Sequence, residues 1–403
     1  MNLLKEGMEL HAVEKTTLTR KLTIDGLTRV YPVYKVRLDL LYYNDQNDRI
    51  ATWISQYKAQ HDGASPSAAD QEAYNAIIEE FIIASNPDAI HKTQNNIEMV
   101  DQREPGVVLA DGRIIDGNRR FTCLRRLSHK NDRFNYFETV ILDRDYEHSA
   151  KQIKMLELQI QIGKESRVDY NPIDKLVGIY RDIEESRLLS IAEYAQSTNQ
   201  KESEVKKQLD LSMLLVEFLE AINAPGQFYI AREMDLNGPL VELQGILKKI
   251  KDNDKRQEIK YIVFTNFLMQ PSGDMTRFVR NLKKVANSSY IDEFIEKEID
   301  ISEEVLDSLP EAGKVNSDVI AKVRANEAVK SELERTMDVV SNKVKATETR
   351  NKPNQMLTKA VDSIEAIDKN IIKKLTEEQK EEIKDNLLRL EELLIELKEV
   401  IDV

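Results

Sequence analysis

The chain has 403 residues, 41% of them apolar, with 58 Lys+Arg against 71 Asp+Glu and a net charge of −13. That length and apolar content call for two or three domains with real cores and exclude global disorder. One cysteine, Cys123, excludes a disulfide framework or a cysteine-based zinc site, and the acidity argues against indiscriminate coating of nucleic acid.

The opening MNLLKEGMELHAVEKTT has no apolar signal core, and no run reaches membrane-spanning length, so the expectation is a cytoplasmic protein without membrane contact. RKLTIDGLTRVYPVYKVRLDLLYY (20–43) predicts two strands joined near Asp25-Gly26, a turn dipeptide. NDQNDRIATWISQYK predicts a loop entering a helix, with Asn47 or Asp48 near its N-cap. SAADQEAYNAIIEEFIIAS predicts an amphipathic helix with Tyr74, Ile77, Ile78, Phe81 and Ile82 on one side. GVVLADGRIID reads as a hairpin around Asp111-Gly112, NRRFTCLRRLSHK as a helix and FETVILDR as a strand. These short elements, to about residue 148, predict one compact mixed α/β unit.

Beyond 149 the pattern is helical, which makes the fold class α+β. SAKQIKMLELQIQIGKESR, NPIDKLVGIYRDIEES, SIAEYAQS and ESEVKKQLDLSMLLVEFLEAI all carry helical periodicity. A loop-rich joint follows at NAPGQFYIAREMDLNGPL, then a further helical region to about 300 that is slightly basic at 241–290. The predicted divisions are 1–148, 149–225, 226–300 and 301–403. Residues 291–403 hold 18 basic and 28 acidic side chains, so most of the net charge sits there. Ile383, Leu387, Leu390, Leu394, Leu397 and Ile401 follow the 4-3 alternation of a heptad, with Thr376 and Gln379 as a capping box. That spacing predicts self-association, a helical hairpin, or a surface for a protein partner.

DGRIIDGNRRFTCLRRL (111–127) places Arg119 and Arg120 at the joint of a strand and a helix. A helix N-terminus offers backbone N–H groups and a positive dipole end to an anion, and arginine forks add bidentate phosphate contacts. Gly117 permits close backbone approach and Asn118 is a candidate helix cap. The competing reading is that the two arginines pair with Asp111 and Asp116. Cys123 falls on the face expected to be buried. The five histidines show no i, i+4 spacing, so no metal site is expected.

This stretch resembles the signature of the ParB/sulfiredoxin fold, where a strand ends in a DG-x-RR or GERR-type turn that holds nucleotide phosphates. YPVYKVRLDLLYYNDQNDRIAT resembles the first ParB box, with Arg49 in the place of a nucleotide-contacting arginine. SRVDYNPIDKLVGIYRDI resembles the third box, with Arg167 at its arginine, and LLSIAEYAQSTNQKESEVKKQLDLSMLLVEFLEAI resembles the ParB helix-turn-helix. The matches run in order over about 20–222. The resemblance implies a nucleoside triphosphate, CTP or ATP with Mg²⁺, held by Arg49, Gly117, Asn118, Arg119, Arg120 and Arg167. It also implies DNA contact, here through Lys206, Lys207 and Gln208, with Ser203 capping the second helix and Glu204 beside them. A homodimer or higher oligomer formed by the tail would complete a nucleotide-responsive switch.

Two departures bear on activity. The Glu-Asn pair that supports hydrolysis in ParB falls here on Gly163 and Lys164, with Ser166 in the place of the box's glutamine, which leaves nucleotide hydrolysis open, and the reactive cysteine of sulfiredoxin falls on Asn118. The turn is also similar to those of some anti-phage nucleases and DNA-modification regulators. The alternative is therefore a nucleotide-dependent nuclease or defence regulator, with Asp111 and Asp116 as the available carboxylates.

Overall fold

The computed structural model describes residues 2–24, 27–143, 146–163 and 171–401, with no side-chain detail for 146–149 and 161–163. The turn at Asp25-Gly26, together with Lys164, Ser166 and Arg167, lies outside them. The α/β region contains β1 (Val13–Ile24), β2 (Leu27–Arg37), α1 (Ala51–Gln60), α2 (Gln71–Ser85) and α3 (Pro87–Val100). It continues with β3 (Gly106–Leu109), β4 (Ile114–Asp116), α4 (Asn118–Ser128), β5 (Tyr136–Leu142) and α5 (Tyr146–Gly163).

The five strands form one sheet in the order β1-β2-β5-β3-β4. Only the β3–β5 pair is parallel. Central strands covered on both faces read as unbroken apolar runs, which is why GVVL is buried at every position. Alternation then sends Phe137 and Ile141 of β5 to one side with Ile78, Ile90, Ile97, Phe121 and Leu124 of α2, α3 and α4. Val140 and Leu142 go to the other side with Ile153, Leu156 and Ile160 of α5. The result is a helix–sheet–helix sandwich. The expected boundary near 148 therefore falls at the start of a helix that covers the sheet's second face.

Two features differ from the sequence reading. The first strand begins at Val13 rather than near residue 20, with a register irregularity between Lys15 and Thr19. Helix α3 was not predicted. Pro87 at its first turn and the Asn86 side chain accepting from Ala89 N–H define its start.

The remainder is helical. α6 (Pro172–Tyr180), α7 (Ile191–Ser197) and α8 (Glu202–Ala221) share a core of Ile179, Leu189, Tyr194, Val205 and Leu209 with Leu158 of α5. Next come α9 (Phe228–Glu233), α10 (Asn237–Leu247), α11 (Asn253–Met269), α12 (Met275–Ala286), α13 (Ile291–Asp307) and α14 (Ser317–Arg324). The last three are α15 (Glu327–Glu365), α16 (Lys369–Ile372) and α17 (Glu377–Val400). Among the described residues no helix is long and apolar enough to cross a membrane.

Internal contacts divide the chain into two compact units, Met1–Ser341 and Asn342–Val403. The expected division at 300–301 falls inside α13. In the second unit the Thr376–Gln379 capping box forms as predicted, and Leu387, Leu394, Leu397 and Ile401 of the heptad pattern are exposed.

Candidate functional site

β4 ends at Asp116, and the chain reverses into α4 through Gly117 at φ 108°. L side chains rarely adopt that conformation, and a Cβ at Gly117 would meet Phe137 Cζ at 2.8 Å. Gly117 itself is the N-cap, so Asn118 is the first helical residue and not the cap expected from sequence. The first intrahelical bond runs from Phe121 N–H to Gly117 O, 2.9 Å, and Gly117, as the N-cap, brings no side chain to cap the helix start. The first turn of a helix is the backbone feature that receives anions.

This turn opens onto a cavity of about 400 Å³ lined by Gly117, Asn118, Arg119 and Arg120 on one side. Asn47 and Arg49 line it too, as do Asn86, Thr93 and Asn96 from α3 and its cap. The volume lies within the usual small-ligand range of roughly 300–1,000 Å³. Five of the six residues singled out as a set from the sequence thus share one cavity; Arg167 lies outside the described residues. The lining carries four arginines (49, 103, 119 and 120) against Glu104 and Asp116, so its formal charge is positive in an acidic chain. Asn118 is buried, and its Oδ1 has no hydrogen-bond partner among the described residues.

Of the two adjacent arginines, Arg120 is held by the protein itself. Arg120 donates from Nη1 to Glu104 O at 2.7 Å and from Nη2 to Asp116 Oδ2 at 3.3 Å. Arg20 joins it, donating to Pro105 O at 2.6 Å and to Asp116 Oδ2 at 3.0 Å. The acid-pairing reading therefore holds for Arg120 with Asp116: this guanidinium fastens the 104–105 loop to the end of β4. Asp111 does not take part. It accepts from the Tyr42 hydroxyl at 2.7 Å and does not line the cavity. Of the two carboxylates required by the nuclease alternative, one is remote and the other is held between two arginines. Among the described residues no three His, Cys, Asp or Glu side chains converge as a metal site.

Arg49 is positioned by a turn whose neighbour is buried in charge. Asn47 Oδ1 accepts from Arg49 N–H at 3.1 Å. Asp48 pairs with Lys154 of α5 at 2.8 Å and with Arg181, just past α6. Lys154 also reaches Asp182 at 3.3 Å and Glu157 at 3.8 Å. Burial pushes the Glu157 carboxyl up to about 7 and that of Asp182 to about 6, while burial of Lys154 is outweighed by the three acids, which keep it charged. Gly178 makes this approach possible, since a Cβ there would meet the Asp48 carboxylate at 2.6 Å.

Cys123 is fully buried and burial pushes its thiol up to about 12, so it is an inert core thiol. In the helical region Lys206 and Lys207 are exposed on α8, as expected. Gln208 is half-buried and donates to Gln200 Oε1 at 3.1 Å, so it is turned toward the α7–α8 turn and not outward. Ser203 lies inside the first turn of α8. Lys201 is the N-cap, and its N–H donates to Glu204 at 3.4 Å.

Sequence reasoning missed the α3 contribution to the cavity. Ile90 and Ile97 are buried on one face of α3, and Thr93 and Asn96 line the cavity. That helical spacing was the available signal. No protein-family model matches the chain, and no curated protein matches it. A solved structure described as the C2221 form of a Pnob8-like ParB-N domain aligns with 76% of this chain and 98% of its own, at 11% identity and a TM-score of 0.30. The likeness is distant and partial, below the level at which a shared fold is shown.

Proposed function

We propose that the protein is a nucleotide-responsive switch: a nucleoside triphosphate, CTP or ATP, occupies the cavity at the Gly117 turn, and its occupancy biases DNA binding by the helical region and self-association through the tail. The observation that carries this reading is the convergence of Arg49, Gly117, Asn118 and Arg119 on one positively charged cavity at a helix start whose N-cap is a glycine. The ordered sequence resemblances over 20–222 support it independently.

In this reading the first N–H groups of α4 and the Arg119 guanidinium hold phosphate oxygens. Arg49, which lines the same cavity, approaches them too, and Arg120 keeps the 104–105 loop in place. Mg²⁺ would be held mainly by the phosphates, with Glu104 at the rim. The switch acts through the Asp48–Lys154–Arg181 cluster, which ties the Arg49 turn to α5 and to the chain leaving α6. A ligand that prefers one arrangement of that turn shifts the helices attached to it.

Thermal melting with CTP, ATP, GTP and UTP tests the reading. A ligand at about a hundred times its Kd stabilises the folded state by about 2.7 kcal/mol. The triphosphate that fits should raise Tm by several degrees, its monophosphate by far less, and Arg119→Ala should abolish the rise. A folded wild-type protein whose Tm no triphosphate moves would refute it.

A further inference from the structure

The sequence places DNA contact on α8, but the charge balance of that helix start is poor: Lys201, Lys206 and Lys207 stand beside Glu202, Glu204 and Asp210. α12 differs. Its apolar face, Met275, Phe278, Val279, Leu282 and Val285, is buried, while the opposite face carries Arg277, Arg280, Lys283 and Lys284 with no acidic residue in the helix. Arg277, Arg280 and Lys284 recur at i, i+3 and i+7, which aligns them on one side over about 10 Å.

The helix dipole accounts for only part of this pattern. Lys283 and Lys284 lie in the last turn, where cations are favoured. Arg277 lies in the first turn, where a cation is disfavoured by about 0.3–1 kcal/mol. Asp274 caps the helix by accepting from Arg277 N–H. Neither the Arg277 guanidinium nor Lys284 has an ion-pair partner among the described residues. An exposed guanidinium and an exposed ammonium are thus left for a counter-charge from outside.

α10 extends the surface. A Cβ at Gly238 would meet Thr276 Oγ1 at 2.7 Å, and Glu242 accepts from Arg280 Nε at 2.7 Å. The constant offset between these pairs makes α10 and α12 parallel neighbours. Lys248 and Lys249, both exposed at the end of α10, therefore lie at the end of α12 that carries Lys283 and Lys284. On its other side α10 meets α8, where Gln244 Nε2 donates to Lys207 O at 3.0 Å.

We infer that the exposed face of α12, extended by Lys248 and Lys249, is a phosphate-backbone surface for double-stranded DNA. It positions the duplex beside α8 without reading sequence. The inference rests on the proposed function only for its choice of DNA as partner, and it is independent of the nucleotide.

The test uses the full chain and fluorescence anisotropy with a labelled duplex of about 30 base pairs, titrated between about 50 and 200 mM salt. Arg277→Gln with Lys284→Gln should weaken binding about tenfold, equally for unrelated duplex sequences, and reduce the salt slope by about two. Lys206→Gln with Lys207→Gln serves as the parallel arm, and melting curves confirm folding of both variants. A folded α12 variant with wild-type affinity and slope overturns the inference. If the α8 pair alone carries the effect, DNA binding stands and the α12 assignment fails; if the wild type binds no duplex at the lower salt, both the inference and the DNA part of the proposed function fail.

Discussion

Asp116 accepts from Arg20 and Arg120 together, and this single carboxylate fixes the Arg120 guanidinium at the α4 start. Arg120 is anchored by this carboxylate and by the Glu104 carbonyl, so it fastens the 104–105 loop to the end of β4. Glu298 illustrates the opposite case, an acid with little compensation. It is fully buried between α11 and α13, takes one hydrogen bond from Asn266 Nδ2 at 2.9 Å, and is pushed by burial from 4.5 to about 8. Ser302 Oγ and Asn266 Oδ1 are buried without partners among the described residues. A folded pKa above the unfolded one means that the stabilisation is fully present below about pH 4.5 and is lost as pH rises through about 8. The raised carboxyls of Asp174 and Asp182, both at about 6, act in the same direction at lower pH. Glu298→Gln should therefore flatten the fall in Tm between about pH 4.5 and 8 and be more stable than wild type near pH 9 by about 1–3 kcal/mol. Equal destabilisation of this variant at every pH would show that the native carboxyl is ionised throughout.

At the scale of elements, the Asp48–Lys154–Arg181 cluster joins three pieces of chain that are far apart in sequence. Lys154→Met removes the central cation and leaves Asp48, Glu157 and Asp182 facing Arg181 alone. Denaturant unfolding should show a loss of about 3–5 kcal/mol, the usual cost of stranding buried charge. Adding Glu157→Gln should recover part of that loss; no recovery would mean that Lys154 acts by packing. No local pattern in the sequence announced this cluster, because its members lie at 48, 154, 157, 181 and 182 and only tertiary folding assembles them. By contrast, β3 and β4 were legible from a D-G turn between apolar runs, and α2 from its apolar spacing. The start of α8 was misread because Ser203 is a good cap by type, while the helix begins two residues earlier, with Lys201 as N-cap and its N–H donating to the Glu204 carboxylate.

Across the whole molecule, the net charge of −13 conceals an arrangement in which positive charge is gathered at the cavity and along α12 while acid dominates residues 291–403. The cavity's four best-placed residues were legible because a strand-to-helix turn with glycine and arginine carries its chemistry locally. Its α3 wall was not, because the apolar face of that helix rests on few, widely spaced residues, Ile90 and Ile97, in an otherwise polar stretch. In the tail the heptad spacing was legible, and the exposure of Leu387, Leu394, Leu397 and Ile401 fits the proposed self-association. The measurement that tests the central claim most directly is calorimetric titration with CTP, ATP and GTP in Mg²⁺ of wild type, Arg49→Ala and Arg119→Ala. The account predicts one-site binding of a triphosphate, weakened at least tenfold by either substitution in proteins that melt like wild type. Binding unaffected by both substitutions would place the nucleotide elsewhere, and no binding by the folded wild type would contradict the account.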